Sequence, residues 1–183
     1  MGLLALAGLA FSPLVIPVLP VEQYVRYQAA LGVQPPRDEN HAFNPLAQHF
    51  ADQFGWPELV DAVAKAVEQL PAEDRAKAGI FAQNYGEAGA LEWLGRERGL
   101  PPVLSGHNTY FLWGPRGVTG EVVLVVGEDD EASLRKLFRE VSQVGRVPRV
   151  ENAMPYEQAL PIHLCRGLKT PLEQLWPRVK NYN

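Results

Sequence analysis

The sequence predicts an α/β fold, because short apolar runs and amphipathic helical stretches alternate along most of its 183 residues. The clearest strand signal is Glu121–Val126 (EVVLVV), which ends at Gly127 and leads into a helical stretch. Two further apolar runs, Gly79–Ala82 and Val103–Leu104, each end directly in a polar cluster. From residue 58 onward, this alternation predicts a mostly parallel open sheet with helices on both faces, with a mixed sheet as the alternative.

The part of the chain before the first strand is predicted to be helical, with one long loop. Val21–Leu31 has the pattern of a short amphipathic helix, and Gly32–Asn44 is a polar loop that contains prolines. Pro45–Phe54 places its apolar residues on one helical face. Pro57–Leu70 is predicted as a helix with proline in its first turn, where the missing N–H would be unpaired anyway, and with one apolar stripe.

The remaining elements are predicted to alternate between strand and helix. The predicted strands are Ala78–Ala82, Val103–Ser105, Glu121–Val126, Arg146–Val150 and Pro161–Arg166. The predicted helices are Glu87–Glu97, Glu131–Val141 and Pro171–Lys180. Pro148 interrupts the fourth strand, which is therefore expected at an edge of the sheet, where a missing N–H is tolerated.

The amino-terminal segment is apolar, and it carries no charged side chain from Met1 to Val21. About 20 apolar residues suffice to cross a bilayer as a helix. We therefore interpret residues 1–20 as the end of a transmembrane helix or an apolar anchor. A signal peptide fits less well, because no Lys or Arg precedes Arg26; a buried core segment is the other alternative. Residues 21–56 are then a helical and loop linker, and residues 57–183 form the soluble α/β domain.

Composition argues against several functional classes. Lys and Arg total 17 against 21 Asp and Glu, which gives a net charge of −4 and no basic face, so nucleic acid is not an expected partner. The single cysteine, Cys165, is expected to be a buried packing thiol, and it excludes an intramolecular disulfide and a cysteine-based zinc site. The four histidines lack the spacing of metal ligands, so neither a metal nor a cofactor is expected.

Polar clusters follow the first two predicted strands, at the point where each strand ends. In open α/β sheets, ligands bind outside the carboxyl ends of the strands, so the two clusters are expected to form one site. Aromatic rings beside amide, carboxylate and imidazole groups suit a sugar, although such rings also build cores and interfaces. The candidate lining residues are Asn84, Tyr85, Glu87, His107 and Asn108, with Tyr110 and Trp113 as stacking surfaces.

Other chemistry fits these residues less well. The run Gly86–Gly89 contains only G-x-x-G of the dinucleotide fingerprint, and a tight turn with close helix packing explains both glycines. Ser105 and His107 lie two residues apart, but the G-x-S-x-G elbow of a serine hydrolase is absent. Asp129 and Asp130 open a predicted helix, where the helix dipole alone favours acidic residues.

Three runs, NYGEAGALEWLG, LPPVLSGHNTYFLWGP and CRGLKTPLEQLWPRVKNYN, resemble the carboxyl-terminal part of bacterial membrane glycosyltransferases. The family is the dolichyl-phosphate-mannose–protein mannosyltransferase-like, or family 39-type, group. The likeness extends from about Leu14 to Asn183 and is most specific at SGHN-x-Y-x-L-WG-P. Members of this branch join a multi-spanning membrane domain to a soluble α/β domain, and they transfer sugars from polyprenyl-phosphate carriers outside the cytoplasm.

The resemblance implies a membrane-attached chain whose soluble part is extracytoplasmic, either periplasmic or at the cell surface. The catalytic acids of the family lie in a loop of the membrane domain that has no counterpart here, so no catalytic residue carries over and this chain alone is not expected to catalyse transfer. Its implied task is to position the acceptor or the sugar, or to stabilise the membrane domain.

The implied partners are the membrane, the membrane domain of the glycosyltransferase, and a sugar or polyprenyl-phosphate sugar. A structural interaction module with no small-molecule ligand is the alternative. A free-standing small enzyme is a third reading, for which the sequence offers no complete catalytic set.

Overall fold

The computed structural model describes residues 2–33 and 46–182, which form two compact units. The first unit comprises the chain up to Phe54 together with Glu151–Tyr156, and the second comprises Gly55–Val150 together with Glu157–Asn183. The return of residues 151–156 to the first unit has no counterpart in the sequence analysis. The predicted loop Gly32–Asn44 lies almost entirely outside the described residues, as do Pro45 and His41.

The first unit is helical. It contains α1 (Gly2–Phe11), α2 (Val21–Ala30) and α3 (Gln48–Ala51), and a 3₁₀ turn at Ser12–Leu14 follows α1. Helix α1 ends just before this proline-containing turn, because proline lacks the N–H that a continuing helix needs. The core of the unit is aromatic and aliphatic, and its central contact joins the rings of Tyr24 and Phe50, whose centroids are 4.5 Å apart.

Helix α1 is apolar and exposed along its whole length. No residue of Gly2–Phe11 is buried, and its leucines are among the most exposed apolar side chains described. A helix of this length extends about 15 Å, roughly half the hydrocarbon thickness of a bilayer. Within residues 2–33 and 46–182, no helix combines the length and apolar character that crossing a membrane requires. The interpretation of residues 1–20 as the end of a longer membrane helix stays a prediction.

The second unit is built on a five-stranded mixed sheet with the strand order β2-β1-β3-β5-β4. Strand β1 pairs in parallel with β2 and β3, whereas β5 runs antiparallel to both β3 and β4. The α/β class is therefore confirmed, but the expectation of a mostly parallel sheet is wrong. The strands are β1 (Ala78–Ala82), β2 (Val103–Leu104), β3 (Val122–Val126), β4 (Phe138–Arg146) and β5 (Pro161–Leu168).

The connection between β4 and β5 explains why the sheet is mixed. Parallel strands need a crossover connection, usually a helix, whereas antiparallel neighbours can be joined directly. Residues 147–160 contain only a 3₁₀ turn at Pro155–Glu157. Without a crossover helix, β5 returns beside β4 in the opposite direction.

Helices cover both faces of the sheet. They are α4 (Trp56–Glu68), α5 (Ala72–Arg75), α6 (Tyr85–Trp93), α7 (Thr109–Leu112), α8 (Glu131–Leu137) and α9 (Leu172–Leu175), with 3₁₀ turns at Arg96–Arg98 and Trp176–Arg178. On one face, Val63 of α4 and Leu91 of α6 pack on Ile80, Leu124 and Ile162 of the sheet.

The opposite face has two separate packing clusters. Leu134 of α8 covers Val123, Val125 and Cys165, which lie toward the antiparallel side of the sheet. Leu172, Trp176 and Val118 cover Leu104, which lies on the parallel side. Cys165 is fully buried, and burial together with the nearby Glu131 raises the pKa of its thiol to about 12. This agrees with the expected packing role.

Two predicted elements, one helix and one strand, are wrong for the same reason. The helix expected over Glu131–Val141 ends at Leu137, and Phe138–Arg146 is a strand, so the edge strand expected over Arg146–Val150 does not form. Phe138 and Val141 are the buried side chains of this segment, and their spacing of three matches a helical face. A bulge between Gln143 and Gly145 further breaks the alternation that marks a strand.

The helix expected over Pro171–Lys180 is also shorter than expected. It is divided into α9 and a 3₁₀ turn that contains Pro177, because proline cannot donate the hydrogen bond that would continue α9.

Candidate functional site

The two polar clusters predicted to form the site lie side by side at the carboxyl ends of β1 and β2. The centroid of the Tyr85 ring lies 5.0 Å from that of the His107 ring, and the two planes are inclined by 53°. Because β1 and β2 are parallel neighbours, residues that follow them emerge at the same edge of the sheet. We call residues 83–87 and 105–108 the rim.

The rim borders the place where the connections of the sheet change direction. The chain goes from β1 outward to β2 and then crosses back to β3 on the other side of β1, a topology for which a crevice is expected between the ends of β1 and β3. Gly127, which follows β3 with φ +85°, faces this crevice. A Cβ atom there would lie 3.2 Å from Cγ of Gln83 and 3.6 Å from Oε1 of Glu87. The Glu87 carboxyl group therefore occupies the crevice.

Asn84 and Glu87 use their side chains to start helix α6. The Oδ1 atom of Asn84 accepts a hydrogen bond from the Glu87 N–H at 2.8 Å, and Oε2 of Glu87 accepts one from the Gln83 N–H at 2.9 Å. This reciprocal arrangement resembles a capping box. Only 2% of Glu87 is exposed, and burial raises the pKa of its carboxyl group to about 7, although the backbone donors at Gln83 and Asn84 oppose the rise.

Tyr110 belongs to a buried network rather than to the surface. Its hydroxyl donates to Oε2 of Glu92 at 2.8 Å, and the guanidinium group of Arg116 pairs with the other carboxylate oxygen. Burial, reinforced by Glu92, raises the pKa of the Tyr110 hydroxyl well above its usual range. Arg116 also donates to the carbonyl oxygen of Val103 at 3.1 Å. The Tyr110 side chain is therefore largely buried, and its assignment as a stacking surface stays a prediction.

Exposed aromatic rings continue from the rim along helix α6. Tyr85 and Trp113 are each 54% exposed, and the Trp113 ring rests on Tyr110 with centroids 4.4 Å apart. Trp93 is 72% exposed, and the guanidinium carbon of Arg96 lies 5.4 Å from its ring. Trp93 was not among the predicted lining residues. Its position eight residues after Tyr85 on one helix places both on the same side, which the helical period could have indicated.

The loop after β2 has an unusual backbone conformation. Ser105 is fully buried, and its Oγ accepts a hydrogen bond from the His107 N–H at 3.2 Å. Asn108 has φ 50° and ψ −130°, a combination that residues with a side chain seldom adopt, and its side chain does not cap α7. Ser105 is thus a local hydrogen-bonding group.

A segment distant in sequence pairs with this loop. The Asn108 N–H donates to the Asn181 carbonyl at 2.9 Å, and the Asn181 N–H donates to the Gly106 carbonyl at 2.9 Å. His107 and Asn181 form an isolated parallel bridge as a result. We call Val179–Tyr182 the 179–182 segment. The pairing of this segment with the rim was not predicted, because no local sequence pattern indicates a contact between residues so far apart in the chain.

His163 is a buried histidine side chain of the second unit. It lies on β5 opposite Val125 and Gln143, it is 3% exposed, and its Nδ1 atom has no hydrogen-bond partner. In the two described stretches of the chain, no group of three or more His, Cys, Asp or Glu side chains is arranged to hold a metal ion.

No protein-family model, no curated protein and no solved structure matches this chain.

Proposed function

We propose that the second unit is a non-catalytic module that binds a carbohydrate at the rim, as the accessory extracytoplasmic domain of a polyprenyl-phosphate-sugar-dependent glycosyltransferase. The observation that carries the carbohydrate part is the contact between Tyr85 and His107 beside Asn108. The sequence resemblance supports the parent activity, and the exposed apolar helix α1 supports attachment to a membrane.

The chemistry of the rim suits a sugar ring. An exposed aromatic face can pack on the apolar C–H face of a pyranose, while amide and imidazole groups exchange hydrogen bonds with hydroxyl groups. Tyr85 and Trp113 keep about half of their surface in contact with water and are therefore accessible to a ligand. Asn108 follows His107, which contacts Tyr85, and its side chain carries both a donor and an acceptor.

The proposal assigns no catalytic step to the rim. Glu87 is engaged by backbone N–H groups, and Ser105 is buried with its hydroxyl oxygen accepting from His107. A module of this kind contributes by holding the sugar or the acceptor in place. That task requires complementary shape and hydrogen bonding, and it does not require an ionised acid–base pair.

Binding can be tested by titrating the ¹⁵N-labelled chain, in a mild detergent, with a panel of neutral and phosphorylated sugars. We expect amide shifts confined to Tyr85, His107, Asn108 and Trp113, together with measurable heat. Trp113→Ala should abolish most of the binding. Leu112→Ala, which removes a neighbouring exposed apolar side chain, is the matched control and should leave binding intact. Saturating sugar with neither shifts nor heat would refute the carbohydrate proposal.

A structural interaction module without a ligand is the second candidate. It is favoured by the internal hydrogen bonds of Asn84, Glu87 and Tyr110, three of the predicted lining residues. Replacing Glu87 and His107 by alanine separates the two candidates. If the variants melt at a lower temperature and neither they nor the parent chain bind sugar, the structural module is supported. If a stable His107→Ala variant binds sugar more weakly than the parent chain, the carbohydrate module is supported.

A further inference from the structure

We propose that the 179–182 segment acts as a strap that holds Asn108 in its strained backbone conformation and so positions Asn108 and His107 for the ligand. The effect of the strap on sugar binding rests on the proposed function, whereas the contacts of the strap with the loop do not depend on it. It makes the residues of the strap positioning residues, since none of them is assigned a contact with the sugar.

The backbone conformation of Asn108 is restrained by hydrogen bonds within the loop and by others from outside it. A non-glycine residue at φ 50° and ψ −130° persists only where the surrounding contacts over-determine the backbone. Within the loop, the His107 N–H donates to Oγ of Ser105, the Tyr110 N–H donates to the His107 carbonyl at 3.2 Å, and the Phe111 N–H donates to the Asn108 carbonyl at 3.2 Å. These bonds involve neither the Asn108 N–H nor the Gly106 carbonyl, which both pair with Asn181 instead.

The strap adds two backbone hydrogen bonds, one on each side of His107. Asn181 accepts from the Asn108 N–H and donates to the Gly106 carbonyl, each at 2.9 Å, so its two backbone groups bracket His107. An ordinary negative φ at Asn108 would reorient the chain after its Cα relative to the chain before it, so the Asn108 N–H bond to Asn181 and the contacts of Phe111 with Trp176 could not both be kept. The strained conformation and the paired strap therefore exist together.

Gly106 shows that the close approach of the strap is built into the sequence. A Cβ atom at this position would overlap the Val179 carbonyl group, whose carbon would lie only 2.7 Å away. Backbone atoms cannot yield to such an overlap as a flexible side chain could. Only glycine lets the strap reach the loop, which gives a physical reason for the glycine in SGHN.

The strap is anchored on the core by its charged and aromatic residues. The Lys180 ammonium group lies 4.4 Å from the Tyr182 ring centroid and 5.7 Å from that of Phe111. Phe111 in turn stacks on Trp176 with centroids 5.9 Å apart, and Nε1 of Trp176 donates to the Phe111 carbonyl at 2.9 Å. Phe111 lies three residues after Asn108, so the anchor and the strained residue share one short stretch of chain.

Gly106→Ala is the variant that separates the strap from the loop. We expect amide hydrogen exchange at Asn108 and Asn181 to accelerate at least about tenfold. We also expect the coupling constant that reports φ of Asn108 to change to that of a negative φ, and the sugar affinity to fall about tenfold. Gly89→Ala is the matched control, since a Cβ there would meet only the Tyr110 hydroxyl at an ordinary 3.8 Å.

A second variant keeps the test decisive if Gly106→Ala does not fold. Lys180→Ala introduces no overlap and removes only the contacts of the ammonium group with the Tyr182 and Phe111 rings, so exchange should accelerate about threefold at Asn108 and Asn181 and nowhere else. Unchanged exchange at both amides in the variant or variants that fold overturns the strap.

Asn108→Gly distinguishes positioning from mere structure. Glycine adopts the observed φ without strain, so the strap should stay paired and exchange at Asn181 should be as slow as in the parent chain or slower. Sugar binding should still be lost with the amide side chain, and retained binding would overturn the role given to Asn108. If no sugar binds the parent chain, the proposed function fails, while the exchange and coupling measurements still decide the strap.

Discussion

The two ends of the three parallel strands β1, β2 and β3 differ. The candidate site lies at their carboxyl ends, and an ordinary cavity lies at their amino ends. At the amino ends, a cavity of about 280 Å³ is lined by Lys77, Pro102, Gly117 and Glu121, among others, and the Lys77 ammonium group pairs with Glu121 at 2.9 Å. At the carboxyl ends, the exposed Tyr85 ring lies against the half-buried His107 ring, and the Glu87 carboxyl group is buried. The charges of this cavity pair with each other in contact with water, whereas the rim combines an exposed aromatic ring with a buried carboxyl group.

The largest difference expected between the two ends of the strands is the pH-dependent stability that Glu87 contributes. Its folded pKa of about 7 lies above the ordinary value of 4.5, so the stability it contributes is complete below about pH 4.5 and is lost as the pH rises to about 7. Between these values the unfolded chain releases the proton while the folded chain retains it. We expect the free energy of unfolding to fall by about 3 kcal/mol over this interval.

Glu87→Gln should remove this pH dependence, because the amide keeps an acceptor and has no proton to lose. Urea unfolding at pH 4, 5.5 and 8 measures the effect. The matched variant at the other end of the strands is Glu121→Gln, which should keep the pH dependence of the parent chain. If the stability of the Glu87→Gln variant depended on pH in the same way as that of the parent chain, another group would be the cause of this dependence.

Tyr110→Phe has the next largest expected effect. It removes the hydroxyl that donates to Glu92 and leaves the ring in place, so the free energy of unfolding should fall by about 1 kcal/mol. Tyr182→Phe removes an equivalent hydroxyl from an exposed ring and serves as the control. Chemical denaturation at pH 7 compares the two, and equal stabilities would mean that the Glu92 contact contributes nothing net.

Tyr85→Ala and Trp113→Ala are expected to affect stability only slightly. Both side chains are more than half exposed, so the free energy of unfolding should change by about 0.5 kcal/mol or less. Their effect should appear instead in sugar binding, measured by calorimetry. A large loss of stability in either variant would assign that ring to the fold rather than to a ligand.

Lys77→Gln at the amino ends is expected to have the smallest effect. Glu121 raises the pKa of Lys77 through a hydrogen bond and charge attraction, but the ammonium group is exposed to water. Water and salt screen such a pair, so the melting temperature and sugar binding should both equal those of the parent chain. A measurable change in sugar binding would contradict the distinction drawn between the two ends.

The sequence was informative where local patterns decide structure. Strand β1 forms over Ala78–Ala82 as predicted, and the apolar runs before Gln83 and Ser105 indicated correctly that two polar clusters follow strands. The pattern N-x-x-E at Asn84 and Glu87 is itself a capping signal, and it could have shown that both side chains have local partners. Their assignment as ligand-binding residues stays a prediction.

Long-range contacts account for what local patterns did not show. The direction of β5 depends on the absence of a crossover helix after β4, and the burial of Tyr110 depends on Glu92 of a different helix. The pairing of Gly106 with Asn181 joins segments that no periodicity relates. In each of these places, the partner in space rather than the neighbouring sequence determines the structure.

The arginine that supports Tyr110 has a consequence for how the molecule meets other chains. Strand β2 is the outermost strand on its side, and the bond from Arg116 occupies the Val103 carbonyl oxygen. On the far side, Arg135 occupies the Val141 carbonyl of β4 at 3.1 Å in the same manner. Vacant backbone groups along a sheet margin invite strand addition and aggregation. Because a guanidinium group binds a backbone carbonyl at each edge, addition of a strand from another chain is disfavoured there. Other molecules are then expected to bind through side-chain surfaces.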